Sequence, residues 1–99
     1  MNQSILVSQA SGICTIVLNR PEVFNSFDQA MGKAFQTALD EAAQDPAVRC
    51  VIITGNGRAF CAGQDLKEVT APDAPDFTTI VEKTYNESIR RIRNMEKPV

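Results

Sequence analysis

Three features of the sequence predict an α/β fold with one small core. Residues Ile13 to Leu18 and Val51 to Ile53 have the β-branched composition of strands. Two longer segments, starting near Ser26 and near Asp76, repeat apolar residues every three or four positions, as a helix with one buried face does. Pro21, Pro46, Pro72 and Pro75 fall between these segments and mark their boundaries. The 99 residues are 43 % apolar and 22 % charged. A chain of this size removes only ~60–70 % of its unfolded surface from water, so one domain, or part of one, is the limit.

Ser4 to Ser8 and Ile13 to Asn19 are expected as short strands, with Gln9-Ala10-Ser11-Gly12 turning between them. Arg20-Pro21 stops the second strand, because proline has no N–H for the ladder. Ser26 with Gln29 three positions on has the capping-box pattern and is expected to start a helix. Met31, Phe35, Ala38, Leu39 and Ala42 form its apolar face, and Gln44-Asp45-Pro46 ends it. Val48 to Thr54 follows as a strand covered on both faces. Asp65 is expected to cap a short helix from Leu66 to about Val69, with Glu68 as its capping-box partner. Thr70 to Pro75 reads as a polar loop or a lid. A helix from about Asp76 to Met95 carries the stripe Phe77, Val81, Tyr85, Ile89, Ile92 and Met95, supported by a Glu87–Arg91 pair. Lys97-Pro98-Val99 begins what reads as a further strand, and the chain is expected to be a fragment.

Ten Lys and Arg against twelve Asp and Glu give a net charge of −2 and no electrostatic basis for a nucleic-acid or anionic-membrane partner. No stretch approaches the ~20 apolar residues of a bilayer-spanning helix. The absence of histidine rules out Ser-His-Asp and Cys-His nucleophile pairs, and no metal site is expected. Cys14, Cys50 and Cys61 lack the spacing of a disulfide framework or metal knuckle and read as free thiols serving as small hydrophobes. The polar start Asn2-Gln3-Ser4 lacks the pattern of a secretory signal, and a cytoplasmic location is expected.

The segment Gly55 to Leu66 is the place for chemistry. A dinucleotide fingerprint would need glycine where Phe60 stands, and no phosphate-binding Gly-Lys-Ser/Thr occurs. What remains is a turn at Ala62-Gly63 just before a helix start at Asp65. Free N–H groups there suit an anion or a developing oxyanion. The alternative is a tight turn needed only for close packing. Cys61 near that helix start has no partner base. Asp65, Glu68 and Glu82 read as cap, capping partner and solvated helix face in preference to general acids or bases. Tyr85 reads as a core or interface aromatic, or as part of an acyl pocket.

Asn19-Arg20-Pro21 with Asn25, Asp45-Pro46-Ala47-Val48-Arg49, Gly57-Arg58-Ala59-Phe60-Cys61-Ala62-Gly63-Gln64-Asp65-Leu66 and Glu96-Lys97-Pro98-Val99 occur in that order. Together they resemble the crotonase (enoyl-CoA hydratase/isomerase) superfamily, over its N-terminal part. The resemblance implies the N-terminal portion of a spiral of ββα units that binds acyl-CoA thioesters and stabilises an enolate-like oxyanion with two backbone N–H groups. It assigns one donor to the main chain of Gln64, whose side chain need not take part. It places Ala62 at the CoA adenine, Val23 and Ser26 along the CoA path, and Asp65 and Leu66 at the acyl-thioester end. Glu22 stands where some relatives carry a lysine for a CoA phosphate. The second donor and the acid/base carboxylates would lie beyond Val99, so these 99 residues alone are expected to be inactive. CoA would enter as part of the substrate, with no separate cofactor, and intact chains would form trimers or pairs of trimers. Cys61 to Leu66, with Tyr85-Asn86 ahead of Ile89-Arg90-Arg91, is similar to the ring-epoxide isomerases of phenylacetyl-CoA breakdown. A general enoyl-CoA hydratase and a non-catalytic assembly or binding module are the other readings.

Overall fold

The structure, a computed structural model, describes residues 3–99; Met1 and Asn2, the start of the segment read as lacking a secretory signal, lie outside them. Strands β1 (Ile5–Ala10) and β2 (Ile13–Leu18) form an antiparallel hairpin with Ala10 opposite Ile13. The turn is therefore only Ser11-Gly12, with φ of 53° and 82°, the geometry of a two-residue hairpin loop whose twist matches the strands. Gln9 and Ala10, expected in the turn, belong to β1 because they pair with Cys14 and Ile13. Strand β3 (Cys50–Gly55) lies parallel to β2, with Cys14 opposite Val51 and Ile16 opposite Ile53, and the sheet order is β1-β2-β3. Val48 is buried but precedes the strand, its N–H donating to the Asp45 carbonyl in a turn.

Helix α1 (Gln29–Gln44) makes the crossover between β2 and β3. Its expected apolar face is the buried one. Met31, Phe35, Ala38, Leu39 and Ala42 join Ile5, Cys14, Ile16, Leu18 and Val51 in one core. The other face of the sheet is open, with Leu6, Ile13 and Ile52 between 39 % and 48 % exposed. Strand β3 is therefore covered on one face, not two. Cys14 is buried as expected of a small hydrophobe, and burial pushes its thiol up; Cys50 and Cys61 are half-buried free thiols.

The start of α1 departs from the capping-box expectation. Asp28, not Ser26, is the N-cap, its Oδ1 accepting from the Met31 N–H at 2.8 Å. Ser26 is buried in the preceding loop, and its carbonyl is taken by Arg20 Nη1 at 2.7 Å.

The expected long helix is three helical pieces in a row. Helix α2 (Leu66–Val69) and a polar loop precede α3 (Phe77–Ile80), a π-helical segment (Val81–Asn86) and α4 (Glu87–Asn94). The buried line runs through Ile80, Thr84 and Ser88, while Phe77 and Ile89 of the expected stripe are 69 % and 57 % exposed. The reason lies in α1. A Cβ on Gly32 would stand 2.7 Å from Thr84 Cγ2, so glycine lets the two helices approach closely around a small polar side chain. Gln36 Nε2 then donates to the Lys83 and Thr84 carbonyls at 2.7 and 3.2 Å, and Ser88 Oγ donates to the Thr84 carbonyl. A π turn lets carbonyls out of the usual ladder, and these donors satisfy them. Arg91 joins Glu87, as expected, and also Asp40 of α1.

Lys97 Nζ donates to the Ala42 and Asp45 carbonyls and closes the end of α1. The Pro98 carbonyl accepts from the Val51 N–H at 2.9 Å, bringing the chain alongside β3 where a further strand was expected to begin. No helix among the described residues is long and apolar enough to cross a membrane.

Removing the carboxamide that holds the π segment should cost about 0.5–1.5 kcal/mol, the net value of an intramolecular hydrogen bond, since the Thr84 carbonyl keeps Ser88 and the Lys83 carbonyl is open to water. Gln36→Leu is expected to lower the urea midpoint accordingly. It should also speed amide exchange in residues 81–88 more than in β2.

Candidate functional site

Past β3 the chain folds back over the loop that follows β2, and four contacts set how the two lie together. A Cβ on Gly55 would fall 2.6 Å from the carbonyl oxygens of Ala59 and Phe60, so only glycine fits there. Asn25, fully buried and at φ 58°, accepts from the Arg20 N–H and donates through Nδ2 to the Asn56 and Ala59 carbonyls at 3.0 and 2.9 Å. Asparagine is among the few residues that tolerate this left-handed backbone. The Arg20 guanidinium reaches the Ser26 carbonyl, the Asp65 carboxylate at 2.9 Å and, less closely, Asp28 at 3.6 Å. One cation thus ties the N-cap of α1 to the N-cap of α2. The Phe24 carbonyl, finally, accepts from the Ala62 N–H at 3.0 Å.

These contacts deliver a parallel bridge between Phe27 and Gln64. The Phe27 N–H donates to the Gly63 carbonyl at 2.7 Å, and the Asp65 N–H donates to the Phe27 carbonyl at 2.8 Å. In a parallel bridge the middle residue turns its own N–H and C=O away from the partner strand. The Gln64 N–H accordingly has no acceptor among the described residues. An unpaired main-chain donor on a segment fixed from its other side is what a developing oxyanion requires. Helix α2 has four residues, so the donor's value lies in its aim and not in a helix dipole.

The Gln64 side chain, to which the resemblance gives no part in the oxyanion site, is engaged by its neighbours. Its Oε1 accepts from the Tyr85 hydroxyl at 2.5 Å, and its Nε2 donates to Glu68 Oε1 at 3.0 Å. Glu68 Oε2 accepts from the Gln29 N–H at 2.8 Å. Glu68 therefore caps α1. It is not the capping-box partner of Asp65, whose N–H is already committed to Phe27. Asp65 is the N-cap of α2 as expected, with Oδ1 accepting from the Lys67 N–H. Its hydrogen bond from Arg20 is the main cause holding its carboxyl below the usual range. Burial, then the negative charges expected of Cys61 and Glu68 at high pH, push Tyr85 up to about 12.

Of the other predicted residues, Val23 ends a 3-10 turn (Pro21–Val23), Ser26 is buried, Ala62 is exposed and Leu66 is 72 % exposed. Below the bridge lies an apolar cavity of about 210 Å³ bordered by Phe27, Phe35, Ile53, Phe60, Cys61 and Tyr85 among others. Among the described residues no three of His, Cys, Asp or Glu gather as a metal-ligand group.

The family model for enoyl-CoA hydratase/isomerase matches residues 8–99. The chain belongs to the enoyl-CoA hydratase/isomerase family. It is 42 % identical over its whole length to the 1,2-epoxyphenylacetyl-CoA isomerase of Escherichia coli K12, spanning 39 % of that protein. It is 34 % identical to the trans-2-decenoyl-[acyl-carrier-protein] isomerase of Streptococcus mutans, with 98 % of the chain and 38 % of that protein aligned. The crystal structure of an enoyl-CoA hydratase from Mycobacterium smegmatis superposes with a TM-score of 0.89 at 32 % identity, over 99 % of this chain and 38 % of that one. The chain thus spans well under half the length of its family relatives and has the fold of their N-terminal part, bearing out the crotonase resemblance.

Arg20 and Asn25 are the site residues whose roles sequence reasoning missed. Both were visible as letters of the Asn19-Arg20-Pro21 and Asn25 pattern, but their partners in the returning chain, Asn56, Ala59 and Asp65, lie 31 to 45 residues away.

The lowered Asp65 carboxyl contributes stability that is complete above about pH 4, its ordinary value, and is lost as pH falls through the lowered one. Arg20→Gln is expected to return the Asp65 titration, followed by its carboxyl carbon shift, towards the ordinary range. For Tyr85 the sign is opposite. The contribution of the neutral phenol is complete below about pH 10 and is lost as pH rises towards about 12. Tyr85 is the one tyrosine of the chain, so ultraviolet absorbance reads its ionisation alone. The native midpoint should lie well above that of the unfolded chain.

Proposed function

We propose that residues 20–66 form the first half of an oxyanion site for an acyl-CoA thioester, with the Gln64 main-chain N–H as one of two donors to the enolate oxygen. The observation that carries this reading is the N–H itself, aimed away from the Phe27 bridge and without a partner among the described residues. As charge gathers on the thioester oxygen, a donor already in place stabilises it without reorganisation, at about 2.7–3.1 Å. Proton transfer falls to other residues. Asp65 is held ionised by Arg20 and committed to the Lys67 N–H, and Glu68 is taken up by Gln64 and Gln29. Neither is free to carry a proton to and from substrate carbon, so the acid/base carboxylates and the second donor come from the part of the family fold beyond these residues.

In this reading Ala62 borders the adenine, Val23 and Ser26 line the CoA path, and Asp65 and Leu66 border the thioester. CoA comes and goes with the substrate, and no further cofactor is needed. Glu22, exposed beside the path, offers no phosphate contact. Similarity to the E. coli isomerase favours a ring-epoxide phenylacetyl-CoA as substrate of the complete, cytoplasmic and homo-oligomeric protein. Hydration of an enoyl-CoA is the neighbouring reaction. The open sheet face with Leu6, Ile13 and Ile52 favours a second reading, a non-catalytic assembly module. Self-association in light scattering without any thioester binding would select it. The apolar face of α1 is buried on the sheet and offers no surface to such a partner.

Turnover of crotonyl-CoA and of ring-epoxide phenylacetyl-CoA is to be compared for the 99 residues and for a longer chain continuing after Val99 with the remainder of the E. coli relative. Only the longer chain is expected to turn over, and robust activity from the 99 residues refutes the divided site. In the longer chain, exchanging the residue 64 amide for an ester removes the N–H alone. It should lower kcat by ~10²–10³.

A further inference from the structure

The geometry points to Tyr85 as a positioning residue that fixes the aim of the Gln64 main-chain N–H through the Gln64 side-chain carboxamide. This inference rests on the oxyanion reading above and adds the device that holds the donor still.

The peptide carrying that N–H joins Gly63 to Gln64. On its Gly63 side φ is 109° and a Cβ would meet nothing within 4 Å, so no side-chain packing adds to the backbone bonds there. The two bridge bonds, from the Phe27 N–H to the Gly63 carbonyl and from the Asp65 N–H to the Phe27 carbonyl, hold the backbone on either side of Gln64 and set the direction of this plane. A further restraint on that plane comes from the Gln64 side chain, gripped at both ends by Tyr85 and Glu68. The direction of the relay is dictated by chemistry. An ionised Glu68 only accepts, so the carboxamide nitrogen faces it and the oxygen faces Tyr85, which must donate.

Each end of the relay rests on a fixed element. Glu68 is tied to the first N–H of α1. Tyr85 packs its ring against Phe27, the bridge partner itself, at 6.1 Å between centroids. Tyr85 also sits in the π segment whose carbonyls Gln36 holds from α1. Both grips on the carboxamide therefore refer back to the helix that follows Phe27. Tilt of the Gln64 plane against its bridge partner is opposed by a closed circuit.

The test uses the longer chain, with kcat, KM and the absorption of bound dimethylaminocinnamoyl-CoA, whose band moves to the red as its carbonyl is polarised. Tyr85→Phe and Gln64→Leu are each expected to lower kcat about tenfold, leave KM within about twofold and shrink the red shift. The double variant should lose no more than either single one, because both break the same relay. Should Gln64→Leu fail to fold, Glu68→Ala removes the acceptor at the relay's other end with the same expected losses. A Tyr85→Phe protein of unchanged kcat and red shift overturns the relay, even if its denaturation midpoint falls, and so do additive losses. A wild-type complex that binds the thioester without any red shift overturns the donor assignment and the relay with it.

Discussion

Two main-chain hydrogen bonds, from Phe27 to the Gly63 carbonyl and from Asp65 to the Phe27 carbonyl, are the constraint around which this chain is arranged. They are few for the sequence distance they close. An isolated bridge lacks the cooperative ladder that holds β1 to β2, so the loops on either side must be set by something else. Asn25 and Arg20 do this with partners of different kinds. Asn25 is buried with its amide nitrogen and oxygen both used, and Arg20 holds two caps at once through charge-assisted contacts. Gly55 supplies the third condition by letting the returning backbone come within contact of β3.

The same bridge explains which parts of the structure were legible in the sequence. The hairpin, α1 and β3 were readable because their burial is carried by apolar side chains at regular spacing, from Ile16 and Leu18 to Met31 and Leu39. The π segment was not. Its buried residue is Thr84, followed one turn on by Ser88 of α4, polar residues admitted by a glycine and a glutamine on another helix. An apolar stripe points to the wrong face when the contact is made by small polar groups that satisfy one another. The expected cap of α1 failed for a related reason. Ser26 and Asp28 are equally good N-caps by local rules, and the choice falls to Asp28 because Arg20 claims the Ser26 carbonyl. Glu68 likewise left its local partner for a helix start 39 residues away.

The candidate site was legible in a narrower sense. Motif wording pointed to Gln64 and its neighbours, but nothing in the wording reveals that the N–H lacks a partner. That property follows from which edge of the chain Phe27 occupies, a fact of tertiary pairing. The carboxylates nearby read as structural in sequence and are structural in the fold, though Glu68 holds a different element from the one expected. Their commitments explain why neither Asp65 nor Glu68 is free for proton transfer.

A donor supplied by the main chain has a further consequence for the residue that bears it. Every residue but proline carries the N–H, so the proposed oxyanion role would place little demand on the side chain at position 64. The side chain is left available for holding the peptide in place. Glutamine suits this task, since its one acceptor and its amide nitrogen can be gripped from opposite sides, whereas an alanine would leave the Tyr85 hydroxyl and Glu68 Oε1 without their present partner. The half-buried phenol would then lack an acceptor in a site bordered by Phe27, Phe60 and Cys61, a cost that a phenylalanine at position 85 would not carry. Positions 64 and 85 are thus coupled by hydrogen-bond satisfaction. The choice of glutamine beside a backbone donor follows from what surrounds the donor more than from the reaction it serves.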